Sequence, residues 1–310
     1  MRGLSKEFLN HLKETSGLLY PVLERVRQDE TLMLAIRDKY VNIYYRGGNL
    51  LRITEQGTAS FQFFFDHKYA KAWGSLSTPP TTIRYQSEVK TWIDYLPHLK
   101  TVMDIYFTRH NKPEREFQQL VARENNNSSI SNESEYFISD IEFADRNISA
   151  RFDMLAIQWP ASQRRNHSNC QVALVEMKYG DEALSGKAGL VKHLKDIEAL
   201  IADKNKYKAL LETMEGQFNQ LDELKLLKFN RSHNETKIKL DINKKPEVIF
   251  ILANHNPRST KLGSILDDPQ VIAYGGQNQH FDLRFFVSSF SGYGLHSDCM
   301  LTLDQFKKLL

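Results

Sequence analysis

The chain has 310 residues, enough to bury a core without disulfides or structural metal and, at roughly 150 residues per domain, enough for about two domains. Hydrophobic residues make up 41% and charged residues 25%, which excludes a wholly disordered chain and a collagen-like one. The 41 basic and 38 acidic side chains give a formal charge of +3, too small a surplus to imply nucleic acid by itself.

Two cysteines, Cys170 and Cys299, stand far apart. They can build neither a disulfide framework nor a cysteine zinc site, and a reducing, cytoplasmic setting fits that usage. Residues 8–13 are amphipathic rather than continuously apolar, so no secretory signal is expected. No run approaches 18 apolar residues, so no membrane span is expected either.

Residues 5–29 carry Leu9, Leu12, Leu18, Leu19 and Leu23 at mixed helical spacing, and Pro21 suits the first turn of a second helix. Residues 31–36 and 40–45 are rich in β-formers. Arg46-Gly47-Gly48-Asn49 is a hairpin turn signal, because glycine takes positive φ cheaply. Residues 50–54 and 61–65 continue the meander. The aromatics Tyr40, Tyr44, Tyr45, Phe61, Phe63, Phe64 and Phe65 are expected to build its core rather than to stack bases. Residues 75–82, with Pro79-Pro80, read as a loop. Residues 88–109 have a helical pattern, with a kink or division expected at Pro97.

A second unit is expected from residue 111, which divides the chain into an N-terminal α+β unit, 1–110, and a domain spanning 111–310. Pro113 suits the first turn of a helix running to about residue 124. Strands are predicted at 135–145, 151–159 and 170–179. An amphipathic region follows at 183–228, then a polar, lysine-rich connection at 230–245. The continuous apolar run at 247–253 reads as a buried strand. A helix at 262–274, a strand at 281–290 and a helix from 303 complete the chain. The order helix, three strands, helix, strand indicates α/β (α+β) architecture.

Glu-x-Lys occurs four times, beginning at Glu88, Glu176, Glu223 and Glu235. Only Glu176 follows an apolar β run, Val172-Ala173-Leu174-Val175, and strand periodicity puts Glu176 and Lys178 on one face. In an antiparallel hairpin that sets Asp153 opposite Glu176, paired residue numbers sum to 329. Trp159 then faces Cys170, and the loop becomes 160–169, nearly all of it turn-compatible. Cross-strand neighbours lie about 5 Å apart, so the two carboxylates can share one cation. Two carboxylates with a backbone carbonyl and waters form a hard-oxygen set suited to magnesium. A nearby lysine suits hydrolysis of a phosphodiester.

In this strand context Asp153, Glu176 and Lys178 resemble the PD-(D/E)XK nuclease superfamily, whose fold is called restriction-endonuclease-like. The resemblance covers about residues 112–255. It implies a mixed β-sheet flanked by helices and a metal-dependent nuclease acting on DNA. Asp153 and Glu176 would hold Mg2+, or Mn2+ in its place, with the Met177 carbonyl as a further ligand, and Lys178 would be catalytic. A carboxylate on the first core helix would add a contact: Glu116 is the candidate, with Glu114 and Glu124 as competitors. Phe152 stands where the family usually has proline, and no Gln-x-x-x-Tyr helix is evident, which leaves the branch open. The alternative is a catalytically inactive module of the same fold that binds nucleic acid or protein.

Other features carry bland readings. His193 falls in helical phase with Leu190, Leu194 and Ile197 and is expected to pack against the sheet rather than to ligate metal. Asp140 and Glu142 are expected to face solvent rather than to flank the metal site. The glycine-flanked Lys187 suits a phosphate contact or a flexible helix start. The basic residues Arg231, Lys237, Lys239, Lys244 and Lys245 read as a solvated connector. Asn254-His255-Asn256 closes the 247–253 strand.

Overall fold

The computed structural model describes residues 2–57, 59–74, 76–164, 170–184, 189–230, 237–256, 259–276 and 278–310. Ser5 accepts from the Phe8 amide and caps α1 (Lys6–Lys13), and Pro21 opens α2 (Tyr20–Gln28) as expected. Strands β1 (Leu32–Ile36), β2 (Tyr40–Tyr45), β3 (Gly48–Glu55), β4 (Phe61–Phe64) and β5 (Thr82–Ile83) form an antiparallel sheet in chain order. The short β5 lies at the end of the segment read as a loop. Strand alternation sends Phe61 and Phe63 into the core and leaves Phe64 45% exposed. Phe61 meets Phe8 at a centroid separation of 5.0 Å, and Phe63 meets Trp92 at 5.7 Å.

Trp92 belongs to α3 (Gln86–Arg109), a single helix of 24 residues that contains Pro97. The expected division at Pro97 does not occur. The missing proline amide costs one helical bond, but a buried stripe of Val89, Trp92, Leu96, Leu99, Val102 and Met103 runs through both halves and holds them in one helix.

The β2–β3 turn consists of Arg46 and Gly47, both at positive φ, +49° and +70°. That is the type I′ geometry favoured by strand twist. Arginine in this region is strained, and two carboxylates hold it there. The Arg46 guanidinium donates to Asp104 at 2.9 Å and to Glu116 of α4 (Pro113–Asn126) at 2.9 Å. The Gly47 amide donates to Gln119 at 2.7 Å.

One compact unit comprises Met1–Gln119 with Asn219–Leu226; the other comprises Leu120–Phe218 with Leu227–Leu310. Residues 219–226 return to the first unit through specific bonds. Gln220 bridges the Leu4 amide and carbonyl, Glu223 pairs with Lys13, and the Leu224 carbonyl accepts from Arg27.

In the second unit, β6 (Tyr136–Asp145), β7 (Ala150–Gln158) and β8 (Gln171–Tyr179) are antiparallel neighbours. After α5 (Leu190–Ala202) and α6 (Lys204–Glu223), β9 (Glu247–Ala253) joins β8 in parallel. The long amphipathic region is thus two helices, parted where Asp203 ends α5. Likewise α7 (Thr260–Leu266) and α8 (Pro269–Gly275) replace one expected helix, because Asp268 caps α8 and Pro269 stands in its first turn. Strand β10 (Asp282–Val287) pairs in parallel with β9, followed by α9 (Ser288–Ser291) and α10 (Leu303–Lys307). The sheet order is β10-β9-β8-β7-β6. Every residue of β9 is buried, as its unbroken apolar run requires. Phe218 of α6 meets Phe137 at 5.9 Å and Trp159 at 6.3 Å.

The fold is therefore mixed α+β, with two five-stranded sheets among the described residues. No described helix is long and apolar enough to cross a membrane.

Candidate active site

The register of β7 and β8 builds the site. Met154 pairs with Val175, Leu155 with Leu174, and Gln158 with Gln171, each pair summing to 329 as the sequence requires. One step beyond Met154, Asp153 stands opposite Glu176. There the backbone ladder gives way to side-chain bonds: the Met177 amide donates to Asp153 Oδ2 at 2.9 Å. The negative charge of Asp153 acts on Glu176. The two carboxyl groups are neighbours, and Met177 lies between them and Lys178 on β8.

Glu176 is 2% exposed and Lys178 4% exposed, an unusual depth for charged residues. Burial first, and then the negative charge of Asp153, push the Glu176 carboxyl well above the ordinary carboxylate range, against the opposing pull of Lys178. Two adjoining carboxylates ionise together only at a cost, and a bound cation removes that cost. Lys178 Nζ lies 3.6 Å from Glu176 Oε2.

His193 of α5 completes the cluster. Its Nδ1 is 3.3 Å from Glu176 Oε2, and its Nε2 is 3.2 Å from Lys178 Nζ. Helical phase correctly placed this ring against the sheet. What phase could not show is that the part of the sheet beneath it is the Glu176–Lys178 face. A signal existed in the order of the chain: α5 is the first helix after β8, so its first turns start near the strand's C-terminal end.

Asp140 corrects another expectation. It is fully buried, and its carboxylate accepts from Gln217 Nε2 of α6 at 2.8 Å. An irregularity between Ile138 and Asp140 shifts the register, so Asp140 pairs with Leu155 and shares the face of Asp153. Glu142, half-buried, has φ +49° inside β6. It lies between the pairs Ile141–Met154 and Phe143–Phe152, which sets it across from Asp153. A non-glycine residue with positive φ within a strand is a local strain of the kind that collects at functional sites.

Glu116 belongs to the first unit. Both of its oxygens accept from Arg46, at 2.9 and 3.3 Å, within the first unit, so the helix carboxylate braces a hairpin turn. Its competitor Glu124 pairs with Arg123 at 2.5 Å. Lys187 and Arg231 lie outside the described residues. Of the basic connector, Lys245 is paired with Asp282 at 2.7 Å. At the C-terminal end of β9, the Asn256 amide donates to Asp181 at 3.2 Å.

Among the described residues, no group of three or more His, Cys, Asp or Glu side chains is arranged to hold a metal ion. The oxygen donors this cluster could offer a cation are the two carboxylates. Two carboxylates suit magnesium, which keeps several waters, better than zinc, which wants four protein or substrate ligands. Comparison of the chain with protein-family models, with curated proteins and with solved structures finds no match.

Proposed function

We propose that the chain is a magnesium-dependent nuclease with a restriction-endonuclease-like core, hydrolysing phosphodiester bonds in DNA. The observation that carries this reading is the junction of Asp153, Glu176 and Lys178 in one cluster, made by the 329 register. The order of elements supports it: a helix, three antiparallel strands, helices, then a strand parallel to the third.

In this reading Asp153 and Glu176 hold the ion, and the Met177 carbonyl adds an oxygen. Magnesium, when bound, supplies positive charge at the phosphoryl oxygens and lowers the pKa of water. The rest is done by the chain. Asp153 is oriented by the Met177 amide and so presents its carboxylate beside Glu176. Lys178, taken out of water on the same face as Glu176, directs its ammonium toward the scissile phosphate, where it orients the attacking water and offsets negative charge as it develops.

A second reading, a non-cleaving module of the same fold that binds nucleic acid or protein, draws on the depth of Glu176. Lys178 and His193 both face the Glu176 carboxyl there with no cation between them. Cleavage of linear duplex and single-stranded DNA with and without magnesium decides between them. The nuclease reading requires cleavage that a chelator stops. Absence of cleavage, together with absence of calorimetric magnesium binding, leaves the binding module.

A further inference from the structure

His193 is delivered to the cluster by a well-anchored helix. Leu190, Leu194 and Ile197 of α5 are all buried, and Glu198 one turn further accepts from the Tyr274 hydroxyl of α8 at 2.7 Å. The ring spans two groups of opposite character. A lysine ammonium has three donors and no acceptor, so the nitrogen 3.2 Å from Lys178 Nζ, Nε2, accepts. The ring proton is then on Nδ1, which faces Glu176 Oε2 at 3.3 Å.

We propose that His193, as its Nδ1-protonated tautomer, is a positioning residue that fixes the Lys178 ammonium relative to the Glu176 carboxylate. The need for it follows from distance and flexibility. Lys178 is 3.6 Å from Glu176, a weak hold on a long side chain with many rotamers. A cation that claims the Glu176 oxygens weakens that hold further, and Nε2 then remains as the acceptor that keeps the ammonium in place. The kinetic consequence rests on the nuclease reading; the tautomer does not.

Two measurements on the full chain test this. The first is imidazole 15N NMR of the metal-free protein at about pH 8, above the ordinary imidazole range. The Nδ1–H pattern is expected for His193 in the wild type. An Nε2–H pattern overturns the inference. The second compares kcat and KM for magnesium-dependent DNA cleavage. H193A is expected to lower kcat by about 10- to 100-fold, the scale of a misplaced catalytic group, while KM stays within about twofold. H193Q, whose amide can accept from Lys178 and donate to Glu176, should recover most of that loss. Wild-type kcat in H193A, or an H193Q as slow as H193A with an unchanged melting temperature, overturns it. A wild type that cleaves nothing but shows the Nδ1–H pattern sinks the nuclease reading and leaves the Lys178–His193–Glu176 linkage standing. Cleavage by a wild type with the Nε2–H pattern does the reverse.

Discussion

A buried acid held above its ordinary range by a neighbouring acid describes Glu176 beside Asp153. Burial and the charge of Asp153 both oppose its ionisation, and the proposed magnesium ion between the two carboxylates would favour it. From this follows a division of labour that substitution can read. Asp153→Ala and Glu176→Ala should lose calorimetric magnesium binding, whereas Lys178→Ala should keep it while losing turnover. Catalytic groups acting as a unit give non-additive losses, so Asp153→Ala combined with Lys178→Ala should be little slower than either alone. Stability gives an independent reading. Asp153→Asn removes the like charge but keeps an oxygen for the Met177 amide, so its metal-free melting temperature should equal or exceed that of the wild type. Magnesium at about 100 times its Kd should stabilise the wild type by about 2.7 kcal/mol and leave Asp153→Asn unmoved. An equal magnesium-induced gain in both proteins would show that the ion binds elsewhere.

At the scale of elements, the β2–β3 turn and the α2–β1–α3 junction each depend on a few atoms. A Cβ on Gly47 would lie 2.5 Å from the Arg115 carbonyl carbon, at a φ of +70°. Gly47→Ala should therefore destabilise by about 1–3 kcal/mol in urea unfolding; a change within about 0.5 kcal/mol would mean that the turn relaxes freely. At the junction, Asp29 accepts from Lys100 at 2.5 Å, Thr31 at 2.6 Å and Arg25 at 2.9 Å. Burial alone would raise its carboxyl, but the Lys100, Thr31 and Arg25 contacts outweigh it and bring the group down to about 2. A carboxyl lowered by folding stabilises above its unfolded pKa of 3.8, and that contribution disappears as pH falls through about 2. Asp29→Asn should cost about 1 kcal/mol at neutral pH, discounted for partial exposure, and the gap from wild type should narrow below about pH 4. A gap that stays constant from pH 7 to pH 3 would remove the ionic account.

Elements also show what a sequence can disclose. The β7–β8 register was legible because two constraints coincided: the carboxylates wanted one pairing, and the loop residues allowed the same one. β9 was legible from its unbroken apolar run. Asp140 was not, because a single-residue register shift in β6 turns the strand over, and nothing in the residues Ile138-Ser139-Asp140 announces it. The division at Pro97 does not occur, because a local propensity yields to a buried stripe that spans it. The partner of Glu116 was not legible either: both its oxygens accept from Arg46, 70 positions earlier. His193 was read as packed against the sheet, but its neighbours Glu176 and Lys178 were not legible, since helical phase gives the face of a helix and not what lies under it.

For the whole molecule, the meander of β1–β5 and the mixed sheet of β6–β10 belong to different compact units, and the proposed chemistry is confined to the second. The nuclease reading stands on geometry: one register, one buried cluster and the order of strands around it. Its central claim is that this cluster cleaves DNA through Lys178 and a magnesium ion. The most direct test is cleavage of linear duplex and single-stranded DNA in magnesium, comparing wild type with Lys178→Ala prepared identically. The account predicts chelator-sensitive cleavage by the wild type and a loss of at least about 100-fold in the variant, on the scale of removing a transition-state charge partner. Equal cleavage by both proteins would assign the activity to something other than this cluster and contradict the account.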